Sequence, residues 1–211
     1  MIQPVNFDEA QTKQIVKKME SEGFCGNSWS DDDIKNLKET IKEHYLTVQK
    51  TTCPYCKRNL QSRHGRHWDI EHIIPRSAVA NFMFEPLNLC MACVDCNGAK
   101  TDKKVTKSSA KKRYPKQSSN FLIIHPHLDK YEEHIIIIKP GFYYVAKKEK
   151  GAKTIETCSL NRFYEFSNFG SEVGDDDRIF LLSEQLKNAE LEETKIAIRK
   201  EIAALAIKGS A

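Results

Sequence analysis

The sequence predicts an α+β fold with a cysteine-rich centre, helices on both flanks and a small β-hairpin region. Apolar residues recur at helical spacing near both ends of the chain, which favours helices there. A central segment that alternates apolar and polar residues lies between two Cys-x-x-Cys pairs and is typical of a strand. Two short apolar runs on either side of Pro140 and Gly141 predict a hairpin. With 211 residues, the chain can bury a core as one domain or two small ones.

Capping residues and apolar periodicity indicate two helices in the N-terminal quarter. Residues 7–20 are expected to form an amphipathic helix that Asn6 caps, because acidic residues fill its first turn. A second helix is expected after Trp29, capped by Ser30 and ending near Gln49. Its apolar stripe consists of Ile34, Leu37, Ile41 and Tyr45.

The rest of the chain divides into a strand, a short helix, a linker and a helical tail. Residues 68–74 alternate as a strand would, and Pro75 ends that strand. Residues 94–104 are expected to form a polar helix. Residues 106–120 are basic and rich in serine, which predicts a linker. Residues 177–208 carry a long helical pattern of one or two helices.

The helical tail has two apolar stripes rather than one. One stripe can pack on the protein's own core, and that could account for the whole pattern; two stripes leave apolar surface that could dock a partner. The stripes are Leu182, Leu186, Ala189 and Ile196, and Leu191, Ile198, Ile202 and Leu205. The predicted organisation is a helical arm at residues 1–52, a cysteine-rich core at 53–105, a basic linker at 106–120, and a hairpin region with C-terminal helices at 121–211.

Composition and charge limit the class of protein and of partner. No apolar run approaches the ~20 residues that a membrane span needs, and the first ten residues lack the features of a secretory signal. We therefore expect a soluble, cytoplasmic protein with no membrane partner. The net charge is only +4, but residues 57–116 hold 13 basic and five acidic residues, or +8. Such a concentration favours a polyanionic partner, although a solvated lysine-rich face is the alternative.

The spacing of the cysteines predicts a structural zinc site. Five of the seven cysteines fall within residues 53–96, and without a secretion signal a disulfide framework is not expected. Cys53 and Cys56 form one Cys-x-x-Cys pair and Cys93 and Cys96 a second, which is the ligand spacing of a tetrahedral four-cysteine zinc site. Cys90 and Cys93 also have this spacing, so the second pair could be shifted by three residues. The 36 residues between the pairs must hold structure of their own.

The stretch between and after the cysteine pairs holds residues suited to phosphodiester hydrolysis. Glu71 and His72 are neighbours, Asn88 follows them, and Asn97 comes directly after Cys96. A neutral histidine can take a proton from water, and its ordinary pKa of ~6.5 suits that task. Carboxylate and amide oxygens are ligands for Mg²⁺ or Mn²⁺, which would offset charge on the phosphate and the leaving oxygen.

Residues 53–100 resemble the zinc-braced members of the HNH endonuclease family. The segments that carry the resemblance are CPYC, DIEHIIP and NLCMACVDCNGAK. The resemblance implies a ββα-metal core, in which a two-stranded hairpin and a helix surround one catalytic metal, and metal-dependent cleavage of DNA. By position, His72 matches the family's general base and Glu71 its first metal ligand. Asn88 matches the asparagine that steadies the base, and Asn97 matches a second metal ligand.

This sequence departs from the common family pattern at two positions. It has Glu-His where Asp-His is frequent, and Asn97 where the last ligand is often histidine. Neighbours on a regular strand point to opposite faces, so Glu71 and His72 can share a site only if the strand twists or ends there. Asp69 lies on the same face as Glu71 and is a further candidate for the catalytic metal.

The layout of the remaining chain resembles small HNH proteins encoded beside ABC-type ATPases in bacterial anti-phage systems, the PtuB-type nucleases of Septu and retron operons. That resemblance implies a PtuA-like ATPase partner. A zinc-braced binding module without catalysis and an RNA-directed nuclease are the alternatives. The basic residues expected to contact nucleic acid are Arg63, Arg66, Arg76, Lys100, Lys103, Lys104, Lys107, Lys111, Lys112 and Arg113.

Overall fold

A computed structural model describes residues 2–108, 112–162 and 175–208. The chain divides into two compact units, Met1–Tyr131 and Glu132–Ala211. The first unit therefore contains the predicted arm, core and linker together with the start of the hairpin region. Within the described ranges, no helix combines the length and the apolar character that crossing a membrane requires.

The first unit begins with two helices, α1 (Glu9–Met19) and α2 (Lys35–Val48). Helix α1 is capped by Asp8 and not by Asn6, because the Asp8 carboxylate accepts from the backbone N–H of Gln11 while the Gln11 side chain accepts from the Asp8 N–H. The predicted cap was wrong by two residues, since this reciprocal pair satisfies two N–H groups at once.

Two 3₁₀ turns, Gly26–Ser30 and Asp32–Ile34, separate α1 from α2, so Ser30 does not cap α2 as expected. The predicted apolar stripe of α2 is confirmed, because Ile34, Leu37, Ile41 and Tyr45 are fully buried. Ile34 and Leu37 pack with Met83 and Phe84, and Phe7, Ile15, Met19, Phe24 and Trp29 cover this cluster. The N-terminal arm therefore shares a core with the loop that follows the first strand.

The centre of the first unit is a ββα arrangement, as the resemblance predicted. Strand β1 (Trp68–His72) pairs antiparallel with β2 (Leu89–Cys93), and helix α3 (Val94–Lys100) follows β2 directly. The register sets Trp68 opposite Cys93 and Glu71 opposite Cys90. Strand β1 ends at His72, two residues earlier than predicted.

Residues 106–120 are not a free linker, since the described part of this segment belongs to the first unit. Thr106 forms a β-bridge with Phe121, and the Tyr114 ring is buried against Phe82. The Tyr114 hydroxyl also donates to the Leu87 carbonyl oxygen. Composition alone predicted a linker because one aromatic residue among basic and serine residues gives no periodic pattern.

Among its described residues, the second unit contains the predicted hairpin and three helices. Strands β3 (Ile135–Lys139) and β4 (Tyr143–Ala146) pair antiparallel, with Gly141 in the turn at φ +78°. Helix α4 (Glu149–Thr157) was not predicted. The tail consists of α5 (Asp175–Asn188) and α6 (Glu192–Lys208), which confirms the two-helix alternative.

The two apolar stripes of the tail do not form separate faces. Leu182 of α5 is buried together with Ile198 and Leu205 of α6, so one core combines residues of both stripes. The helical pattern breaks between Asn188 and Glu192, and a stripe continued across that break loses its register. The large apolar side chains left exposed in the described part of the tail are Phe180, Leu191, Ile196 and Ile207.

Candidate active site and zinc centre

Four buried cysteines meet beside the hairpin of β1 and β2. The sulfur atoms of Cys53, Cys56, Cys93 and Cys96 all lie within 4.8 Å of one another. The Cys56 and Cys93 sulfurs are 3.8 Å apart, and the backbone N–H of Cys93 donates to the Cys53 sulfur at 3.5 Å. Cys90 instead lies on β2 opposite Glu71. The predicted ligand set is therefore brought together, with Cys96 rather than Cys90 in the cluster.

The crowding of these thiols fits a bound cation. Hydrogen bonding with Cys53 lowers the pKa of the Cys56 and Cys93 thiols and raises the pKa of Cys96, whereas burial raises the pKa of Cys53 itself. A thiolate surrounded by buried sulfurs needs a positive charge close by. Four cysteine sulfurs are the ligand set of structural zinc, so the cluster could hold Zn²⁺.

A pocket of about 580 Å³ lies on the same hairpin and is lined by residues from β1, α3 and the N-terminal arm. Four consecutive residues of β1, from Asp69 to His72, contribute to its lining, together with Asn97. His72, the last residue of β1, lines the same pocket as its neighbour Glu71. The candidate catalytic and metal-binding residues thus share one cavity, apart from Asn88, which lies outside its lining.

His72 is held in one orientation. Its Nε2 lies 3.1 Å from the Met83 carbonyl oxygen, and its ring meets the Trp29 ring edge-on with centroids 4.6 Å apart. Because a carbonyl can only accept, Nε2 carries the proton and Nδ1 keeps its lone pair. Burial lowers the pKa of His72 to about 3, so the ring is neutral at physiological pH. The lone pair on Nδ1 is the position that can take up a proton.

Glu71 is almost fully buried and has two partners. The Tyr55 hydroxyl donates to its Oε1 at 3.0 Å, and the Lys100 ammonium lies 2.8 Å from the same oxygen. Burial raises the pKa of the Glu71 carboxyl, while Lys100 and Tyr55 oppose that shift. The carboxylate is therefore stabilised by neighbours that belong to the protein.

Lys100 was expected to contact nucleic acid, but its side chain is completely buried. Its ammonium pairs with Glu71 and also donates to the His72 carbonyl oxygen at 3.0 Å. A wholly enclosed amine does not reach a phosphate. Lys100, which follows the last cysteine pair, therefore joins α3 to the end of β1.

Asp69 and Asn97 offer oxygen ligands on the open side of the pocket. The Asn97 Nδ2 donates to the Asp69 Oδ2 at 2.8 Å, which leaves the Asn97 Oδ1 available as an acceptor. Both side chains are half-buried. Two carboxylates and an amide oxygen around one cavity fit the donor set of Mg²⁺ or Mn²⁺, with Glu71 engaged by Lys100 through Oε1.

Asn88 contacts backbone and not the His72 ring. Its side chain accepts from the Ile74 N–H at 2.7 Å and donates to the carbonyl oxygens of Ile74 and Phe82 at 3.1 and 2.9 Å. The next residue after Phe82 is Met83, whose carbonyl oxygen holds His72. Asn88 therefore fixes the loop that orients the imidazole.

The predicted basic residues occupy different surroundings. Arg76 lines the pocket and donates to the Gly26 carbonyl oxygen, and Arg63 pairs with Glu43. The other exposed basic residues of the predicted set are Arg66, Lys103, Lys104, Lys107, Lys112 and Arg113. Lys111 lies outside the described residues.

Sequence reasoning missed the part that the N-terminal arm plays in this cavity. Asn27 and Trp29 line the pocket, and Gly26 lies so close to Arg76 that a β-carbon there would be 2.8 Å from the Arg76 carbonyl oxygen. This close approach brings the arm against the loop after β1. Trp29 was the residue in the sequence that could have indicated this contact. It lies too far from His72 along the chain for a local pattern to connect the two.

Comparison with known proteins shows what the hairpin of β1 and β2 and the residues around it are similar to. Residues 53–103 match the family model of the HNH endonucleases, so the chain carries an HNH domain there. The Septu protein PtuB of Bacillus thuringiensis is 28% identical over 125 residues, which are 59% of this chain and 42% of that protein. The match thus spans less than half the length of this relative. No solved structure matches the chain.

The zinc assignment predicts opposite results for neighbouring cysteines. Cys53→Ser and Cys96→Ser should lose bound zinc and melt far below the wild-type protein, because a structural zinc site supplies folding free energy. Cys90→Ser should keep one zinc per chain. Metal analysis and thermal melts measure both; a full zinc content in Cys96→Ser would contradict the assignment.

The buried ion pair predicts a large loss of stability when one partner is removed. Lys100→Met should lower the free energy of unfolding by about 3 kcal/mol, because it leaves the Glu71 charge buried without its cation. Combining it with Glu71→Gln should recover most of that loss, and Lys103→Met, at an exposed neighbour, is the control. Denaturant unfolding measures these differences. Equal stability of Lys100→Met and Lys103→Met would show that the pair has no such role.

Proposed function

We propose that this chain is a metal-dependent HNH endonuclease that hydrolyses phosphodiester bonds of DNA. The observation that carries the proposal is a neutral, oriented His72 in one cavity with Asp69, Glu71 and Asn97. A histidine with a lone pair on Nδ1 beside oxygen donors for a divalent cation is the arrangement that hydrolysis needs. The HNH match over residues 53–103 supports it independently.

In the proposed reaction His72 accepts the proton of the attacking water at Nδ1. The water oxygen forms a new bond to phosphorus, and the bond from phosphorus to the leaving sugar oxygen breaks. A divalent cation held by Asp69, Asn97 and Glu71 would offset the negative charge that develops on the phosphate and on the leaving oxygen. Trp29 and the Met83 carbonyl keep the imidazole in the orientation that this proton transfer requires.

Exposed basic residues support a polyanionic substrate. Arg66, Lys103, Lys104 and Lys107 are exposed in the first unit, which also holds the candidate active site. Contacts of this kind recognise phosphates without reading sequence, and the affinity they give falls as salt rises. The proposed substrate is therefore DNA bound with low intrinsic sequence specificity.

We further propose that the protein is the nuclease effector of a cytoplasmic bacterial anti-phage system and acts with a PtuA-like ABC-type ATPase. The 28% identity to the Septu protein PtuB supports this role. The apolar side chains Phe180, Leu191 and Ile207 of the second unit are each more than 60% exposed, so each offers apolar contact area to such a partner.

A binding module without catalysis is the second candidate. It is favoured by the Glu71 carboxylate, which already pairs with Lys100 and accepts from Tyr55. Such a module would retain the zinc cluster and the exposed lysines but would not depend on His72 for any activity.

His72→Ala should lower the rate of plasmid nicking in Mg²⁺ or Mn²⁺ by roughly 10²–10⁴-fold, because it removes the proton acceptor. His67→Ala, at an exposed histidine just before β1, is the matched control and should cleave at the wild-type rate. DNA and RNA substrates are tested in parallel, with chelator as the blank. Nicking by His72→Ala at the wild-type rate would exclude the proposed role of His72. If neither the wild-type protein nor either variant nicks the plasmid, with or without the ATPase, the binding module is favoured.

Phe180→Ser and Leu191→Ser are expected to abolish co-purification with a co-expressed PtuA-like ATPase, since they remove exposed apolar contact area. Val16→Ser makes the same kind of change at an exposed apolar residue of α1 and should leave the complex intact. Size-exclusion chromatography of the co-expressed proteins gives the measurement. A complex that survives both tail substitutions would rule out this docking surface.

A further inference from the structure

A second pocket, of about 170 Å³, adjoins the candidate active site. The two cavities share Pro75 and Asp102 in their linings, so they lie next to each other. One wall of the second pocket comes from residues 74–79 and the other from residues 103–108. Its volume is below the ~300–1,000 Å³ of pockets that enclose drug-sized ligands. A ligand that fits inside it is therefore no larger than a single small ring system.

Hydrogen bonds hold both walls in place. Asn88 binds the N–H and the carbonyl oxygen of Ile74, and the N–H groups of Ala78 and Val79 donate to the Pro75 carbonyl oxygen. On the other wall, the Val105 carbonyl oxygen accepts from the Leu122 N–H at 2.7 Å. The pocket is therefore formed by anchored backbone on both sides.

The lining combines an apolar interior with a charged rim. Ile74 and Val105 are buried at its base, and Ala78 and Val79 extend the apolar surface. Lys103 and Lys104 lie at the rim with exposed side chains. An apolar slot with cations at its edge suits a flat ring attached to an anionic chain. Asp102, at the junction, can accept from amino or hydroxyl groups of such a ligand and disfavours a phosphate at that point.

We infer that this pocket is a nucleoside subsite, which binds the base of the nucleotide next to the scissile phosphate. The inference rests on the proposed function, since the adjoining cavity supplies the scissile phosphate's position. A base inside a duplex is stacked and paired, so only an unpaired or extruded base can enter. The nuclease therefore prefers single-stranded DNA, or duplex DNA with an unpaired nucleotide at the cleavage site.

The test compares strands that differ only in their bases. Binding of single-stranded oligothymidylate of about twelve nucleotides, and of an abasic deoxyribose-phosphate strand of equal length, is measured by fluorescence anisotropy in chelator. The wild-type protein should bind the strand with bases roughly tenfold more tightly. Ala78→Phe fills the pocket and should remove this preference, whereas Ala152→Phe, at an exposed alanine of α4, should keep it.

A polar substitution provides a second variant that adds no volume. Val79→Ser should also reduce the preference for the strand with bases, and zinc content and melting temperature verify that both variants are folded. Equal affinity of the wild-type protein for the two strands, or an unchanged preference in both folded variants, would overturn the subsite. Cleavage of the same strands is followed separately in Mn²⁺. Absence of cleavage by the wild-type protein, both alone and with the ATPase, would refute the proposed function if the binding preference is intact. Cleavage without the binding preference would refute the subsite alone.

Discussion

The candidate active site is built beside four cysteine sulfurs that come from three places in the chain and that could hold one Zn²⁺. Cys53 and Cys56 follow α2, Cys93 ends β2, and Cys96 lies in α3. A hairpin of two five-residue strands is marginally stable alone in water. Bound zinc would supply the missing free energy and would also fix where α3 starts relative to β1. That constraint would add to the direct hydrogen bond by which Asn97 on α3 is joined to Asp69 on β1.

A second constraint lies inside the same frame. Lys100, Glu71 and the His72 carbonyl join α3 to the end of β1 through a buried charge pair. The desolvation cost of such a pair offsets most of the attraction between its charges, so the intact pair contributes little net stability, whereas removing one partner is strongly destabilising. Its evident effect is on position, because it holds the Glu71 carboxylate and the His72 backbone to one helix. Asn88 does the same for the loop that presents Met83 to the imidazole.

Local patterns predicted much of the core but little of what surrounds it. The residues of each Cys-x-x-Cys pair, of the Glu71-His72 pair and of the turn at Pro140 are neighbours in sequence, where ligand spacing and turn chemistry are informative. The docking of Trp29 on His72 joins residues far apart in sequence, and no local pattern indicates it. The burial of Lys100 was not predicted, because a lysine is rarely enclosed without a partner. Only the fold supplies that partner. Helix α4 was missed because Gly151 and two lysines obscure its pattern, yet that glycine is required where the helix meets the His134 carbonyl oxygen.

The dependence of the candidate active site on zinc is tested most directly by hydrogen exchange during zinc removal. The amides of β1 and β2, and the neighbouring Ile73 N–H bonded to the Asn88 carbonyl oxygen, should exchange slowly in the zinc-loaded protein. A competing chelator that removes the zinc should speed their exchange by orders of magnitude, while the amides of β3 and β4 in the second unit stay protected. Unchanged protection of β1 and β2 after complete loss of zinc would contradict the account, because the hairpin would then be stable without its cation.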